Sequence, residues 1–84
     1  MQQVRPSLAQ IIIRYHTLLQ RYARRLVKDD AIAAAIVKIV FEQVYEVNGF
    51  NIDEQLLSKQ FKTFTYRLAT VWLFMQPYPN PQSN

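Results

Sequence analysis

The sequence predicts an all-α fold, a small three-helix bundle with room for one further short helical turn. Three observations carry this expectation. Residues 31–47, AIAAAIVKIVFEQVYEV, are apolar on nearly every side, broken only by Lys38, Glu42, Gln43 and Glu46. A helix that apolar all round belongs in the middle of a structure. On either side lie stretches whose apolar residues recur at alternating four and three positions, the mark of an amphipathic helix. The connections are short, which makes neighbouring helices antiparallel or steeply crossed.

The first helix starts near Ser7. Ser7-Leu8-Ala9-Gln10 fits a capping box, in which the Ser oxygen takes a backbone N–H and Gln10 reaches back. The helix runs to about Lys28 with an apolar stripe of Leu8, Ile12, Tyr15, Leu19, Tyr22 and Leu26. Arg14, Arg21, Arg25 and Lys28 fall on the other side, and bases in the last turn suit the negative end of the helix dipole. Lys28-Asp29-Asp30 then makes a tight corner, with one of the two aspartates capping the central helix. That helix has four alanines and unbranched Lys, Glu and Gln as helix formers. A narrow polar strip at Lys38, Glu42 and Glu46 stacks at four-residue spacing. Asn48-Gly49, which holds the only glycine, predicts its C-cap, because glycine accepts the left-handed conformation at no steric cost.

Phe50–Leu57 reads as a connector. Asn51 or Asp53 could start a single helical turn there, with Leu56 and Leu57 plugging the end of the bundle. Ser58 is the expected cap of a third helix reaching about Met75, with Phe61, Phe64, Leu68, Val71 and Met75 as its stripe and Trp72 beside it. The helical domain is expected to cover residues 1–75. Residues 76–84 hold three prolines, which block a helix and predict a flexible tail.

Composition narrows the function. With 84 residues there is material for one domain, and a chain this short buries roughly 60% of its unfolded surface. Cysteine is absent, which excludes disulfides and thiolate metal sites and suits a reducing cytoplasm. One histidine and six acids leave little for a metal site, and no cofactor is expected. The first residues do not resemble a signal peptide, and 31–47 is too short to cross a bilayer, which needs about 20 apolar residues. A cytoplasmic protein without membrane contact is the expectation.

No enzyme is expected. His16 has no acid beside it in the first helix, one glycine cannot build a phosphate loop, and the adjacent Asp53 and Glu54 point apart. The charge distribution says more. Residues 1–28 carry a net +6 with no acid, while residues 29–84 carry a net −2. A basic first helix can meet phosphate, an acidic partner or an anionic surface, or it can simply be a solvated face. In the third helix Phe61, Phe64, Tyr66, Trp72 and Phe74 alternate with Lys59, Lys62 and Arg67. Rings and cations interleaved in this way can bind single-stranded nucleic acid. Spacing assigns Phe61, Phe64 and Trp72 to the core and leaves Tyr66 and Phe74 for contact with something outside.

Tyr15-His16, Leu19 and the run Tyr22-Ala23-Arg24-Arg25-Leu26-Val27-Lys28-Asp29-Asp30-Ala31 resemble region 2 of the extracytoplasmic-function sigma factors of the sigma-70 family. Ile36-Val37, Phe41, Tyr45 and the run from Phe61 to Ala69 continue the likeness, which spans roughly Ile11 to Leu73. The resemblance implies a helical domain that binds the RNA polymerase core. It also implies recognition of the promoter −10 element with capture of flipped bases. On that reading Arg24, Arg25, Lys59, Lys62, Tyr66 and Arg67 face DNA, and Ala34, Ala35, Lys38, Ile39 and Glu42 lie on the polymerase-facing strip.

The central helix departs from the family pattern. Where the family usually has an acidic pair followed by Leu-Val-Gln-Glu, this chain has Ala34-Ala35-Ile36-Val37-Lys38-Ile39. In the last helix the usual Ala-Arg-Asn reads Ala69-Thr70-Val71. A second reading follows, in which a sigma-like fold serves as a protein-interaction or self-association module and forms a homo-oligomer. Ala34, Ala35 and Ile39 are then the partner interface.

Overall fold

The computed structural model describes residues 8–76. Three helices make up the described chain: α1 Leu8–Val27, α2 Asp30–Asn48 and α3 Glu54–Phe74. There is no strand among the described residues, and each helix packs on both of the others. The Ser7 cap and residues 77–84 of the expected tail lie outside the described residues.

The corners follow from local chemistry. Lys28 takes a left-handed φ of 60° and closes α1, its N–H donating to the Arg24 carbonyl at 2.8 Å. Asp29 is extended, and its Oδ1 accepts from the Ile32 N–H at 2.9 Å, so it is Asp29 that caps α2. Gly49 ends α2 at φ 62°, donating to the Tyr45 carbonyl at 2.6 Å, as Asn-Gly predicts. Asn48 ties the turn together. Its Oδ1 accepts from the Phe50 N–H, and its Nδ2 donates to Gln60 Oε1, both at 2.9 Å.

Ser58 does not start the third helix. Asp53 is the cap, accepting from the Gln55 N–H at 3.0 Å, and the turn expected in the connector is the first turn of α3. The reason lies in Glu54. It places a carboxylate at the positive end of the helix. Its Oε2 also accepts from Arg14 Nη1 at 2.7 Å and from the Tyr15 hydroxyl at 2.9 Å. These bonds, with Arg14 and Glu54 both exposed, bridge the N-terminal halves of α1 and α3, which the buried Tyr15–Phe61 contact packs side by side.

A hub of rings fills this half of the core. Phe61 of α3 is fully buried and meets Tyr15 of α1 at 5.0 Å between ring centres, Phe41 of α2 at 5.1 Å and Phe50 of the connector at 5.6 Å. Tilted and edge-on pairs at such distances add about 0.5–1.5 kcal/mol each beyond area burial. Nearer the Lys28 corner the core narrows to small side chains, with Ala23, Ala33 and Ala69 each fully buried. Alanine lets helix axes approach closely. Thr65, also fully buried, satisfies its hydroxyl on the Phe61 carbonyl at 2.7 Å.

Both flanking stripes are rotated from their predicted centres. In α1 the buried line is Ile11, Tyr15, Leu19, Ala23 and Val27, with Ile12, Tyr22 and Leu26 at its edge. In α3 it is Leu57, Phe61, Thr65 and Ala69, with Phe64, Leu68 and Trp72 partly buried. Val71, Met75 and Leu56 are exposed. Side-chain size misled the prediction, because Ala and Thr hold the seam where the helices come closest. The larger correction concerns α2. It is not wrapped on all sides: Ala33, Ile36, Val37, Val40, Phe41 and Val44 are buried, whereas Ala34, Ala35, Ile39, Tyr45 and Val47 are exposed. Three helices that each touch two others leave an outer arc open on every one.

Candidate nucleic-acid interface

A groove of about 220 Å³ runs between α1 and α3. From α1 it is lined by Leu18, Arg21, Tyr22 and Arg25, and from α3 by Ser58 and Lys62, with Tyr15, Leu19 and Phe61 at its floor. No acid is among these residues. Helix spacing builds the cationic wall. Leu18, Arg21 and Arg25 follow one another at three and four positions and so share the α1 face turned towards α3. Lys59, Lys62 and Tyr66 share a face of α3 in the same way, all three exposed, although only Lys62 lines the groove.

The basic surface continues over the end of α1. Arg21, Arg24, Arg25 and Lys28 line a second, open hollow there. Arg24 is partly committed, since its Nε lies 2.6 Å from Asp30 Oδ1. Both groups are well exposed, so water and salt screen this pair and leave it weak. At the other end of α1 the Arg14–Glu54 pair neutralises the charge of the wall. There burial pushes the Tyr15 hydroxyl above its usual pKa, and the hydrogen bond to Glu54 adds to the shift. The same bond from Tyr15, together with Arg14, holds the Glu54 carboxyl below the usual carboxylate range.

Of the six residues expected to face DNA, Arg25 and Lys62 line one groove, and Lys59 and Tyr66 are exposed on the α3 face of Lys62 without lining it. Arg24 sits over the α1 end beside Asp30. Arg67 does not join them, because it lines a hollow between α2 and α3 with Gln43 and Val71. Arg21 is the residue the sequence list left out. Its three- and four-residue spacing to Leu18 and Arg25 was the available signal.

The residues expected to meet a partner fall elsewhere. Ala34, Lys38 and Glu42 line an open groove of about 420 Å³ between α1 and α2, with Ile12, His16 and Tyr45. Ala35 and Ile39 are exposed on the outer face of α2. No group of three or more potential metal ligands occurs among the described residues, and no described helix is long and apolar enough to cross a membrane. No protein-family model matches this chain, and neither a curated protein nor a solved structure matches it.

Proposed function

We propose that the chain binds single-stranded nucleic acid along the α1–α3 groove, as a divergent transcription-initiation module of the sigma region 2 type. One observation carries the reading: Arg21, Arg25 and Lys62 converge from two helices on a groove with no acid among its lining residues. Three fixed cations attract a phosphate backbone. Tyr66, one turn beyond Lys62 on α3 and about half exposed, offers a ring on which a base can stack. The sequence resemblance supports the same reading, since its most specific run, Tyr22 to Ala31, supplies Arg25. Docking to the RNA polymerase core, also implied by the resemblance, has weaker support. Its strip would consist of Ala34, Ala35, Lys38, Ile39 and Glu42, in which Ala34, Ala35 and Ile39 stand where the family carries acids and Lys38 where it carries glutamine.

Fluorescence anisotropy with a labelled single-stranded oligonucleotide of −10-like sequence tests the proposal. Binding is expected at low salt. With about three phosphate contacts, log K should fall against log salt with a slope of roughly −2. The paired change Arg25→Glu and Lys62→Glu should remove binding while the circular dichroism of the helices is kept. Absence of binding at low salt, or binding unchanged by that pair, overturns the reading. Capture of core polymerase on the immobilised chain tests the docking component separately.

A further inference from the structure

Along the edge of the α1–α2 groove, where Lys38, Glu42 and Tyr45 line it, α2 carries an exposed stripe that nucleic-acid binding does not use. Ala31, Ala35, Lys38, Glu42 and Tyr45 recur at alternating four and three positions, and all five are exposed. That is the spacing of a helix seam built to meet another helix. Ile39 lies beside it, 40% exposed. Among the described residues, Lys38 and Glu42 form no ion pair with each other or with anything else. Two opposite charges thus stand unpaired in the middle of a row that is otherwise alanine and tyrosine.

We propose that this stripe is a two-fold interface with a second copy of the chain, α2 packing antiparallel on its counterpart about a point level with Val40. The pattern is self-complementary about that point, as an isologous contact requires. Lys38 of each copy then lies opposite Glu42 of the other, giving two ion pairs. Ala35 lies opposite Tyr45 twice, a small side chain making room for a large one. The alanines allow the helices to approach closely, and Ile39 of each copy is covered at the edge of the contact. A parallel pairing would set Lys38 against Lys38 and Glu42 against Glu42, so the charges also select the direction.

Sedimentation equilibrium of the full chain tests this with two charge-reversed variants, Lys38→Glu and Glu42→Lys. Both positions are exposed, so the helices should be retained, and circular dichroism checks that they are. The unaltered chain is expected to be a dimer in concentration-dependent exchange with monomer. Each variant alone places like charges opposite one another and should weaken association about tenfold or more. Mixed together, the two variants should form a one-to-one heterodimer. One stripe then presents two carboxylates and the other two ammonium groups, so both facing pairs are again of opposite sign. A chain that stays monomeric overturns the proposal. So does association that Lys38→Glu leaves unchanged, which would place the contact elsewhere, for example on the exposed Phe74 and Met75 at the end of α3.

Discussion

Helices α1 and α2 are nearly equal in length but solve burial differently. In α1 the side chains are largely sorted: every arginine is exposed, and Ile11, Tyr15, Leu19, Ala23 and Val27 turn inwards, with Ile13 and Leu18 as exposed apolar exceptions. In α2 they are not. Apolar residues lie on all sides, yet only one face is covered, and Ala34, Ala35, Ile39, Tyr45 and Val47 stay in water. The arc a helix buries in a three-helix bundle is set by how many neighbours it has, and here each has two. Apolar content beyond that arc cannot be hidden. In α1 the open arc is mainly basic, with Ile13 and Leu18 exposed in it, and in α2 it mixes apolar residues with Lys38, Glu42, Gln43 and Glu46. The two grooves flanking α1 differ in charge, one lined by Arg21, Arg25 and Lys62 with no acid, the other by Ile12, Ala34 and Val37 beside the oppositely charged Lys38 and Glu42.

The sharpest way to break this contrast is to make one change in both helices. Ile11 is 1% exposed and Ile39 is 40% exposed. Ile11→Ala should cost about 2–5 kcal/mol of unfolding free energy, through lost transfer energy and the cavity left behind. Ile39→Ala should stay within about 0.5 kcal/mol in dilute protein, where no second copy covers it. Urea unfolding of both variants at the same low concentration gives the comparison. Similar losses would mean that α2 is wrapped after all.

Much of the architecture was legible in the sequence because its punctuation is local. Asp29 and Gly49 act through hydrogen bonds and backbone angles within four residues, so the local sequence located the C-cap of α2 and narrowed its N-cap to Asp29 or Asp30. The start of α3 was not legible in this way. What favours Glu54 over Ser58 is a pair of bonds from Arg14 and Tyr15, some forty positions away in the chain. Periodicity found the helices but placed the seams too far towards large side chains, since Ala23, Thr65 and Ala69 carry little hydropathy and yet sit where the backbones approach. The basic wall was half legible. Arg25 and Lys62 were found by residue type, while the convergence of Arg21 on them, and the turning away of Arg67, depend on the rotation of each helix.

The two ends of α2 offer smaller tests. A Cβ at Gly49 would meet nothing within 4 Å, so Gly49→Ala should be destabilising through backbone strain alone, by about 1–2 kcal/mol at φ +62°. Asp29→Ala removes the acceptor of the Ile32 N–H and should cost about 1 kcal/mol. Thermal melts of each variant check both values. If the helix owed its existence to its apolar content rather than to its corners, neither change would register.

The smallest effect is expected where α1 turns a charged contact on α3. The folded state holds Glu54 below its usual carboxylate pKa, so its contribution is fully present above the unfolded value. That contribution is lost as pH falls through the folded one. Tyr15 behaves in the opposite sense: its folded pKa is raised, so its contribution is fully present below the unfolded value and is lost as pH rises through the folded one. Glu54→Gln should therefore flatten the acid limb of a plot of Tm against pH. The same change should only soften the alkaline limb, because burial, not Glu54, is the leading cause of the Tyr15 shift. Tyr15→Phe should abolish that alkaline limb. An acid limb unchanged in Glu54→Gln would show that Arg14 and Tyr15 do not clamp the start of α3. The early beginning of that helix would then rest on the Asp53 cap alone.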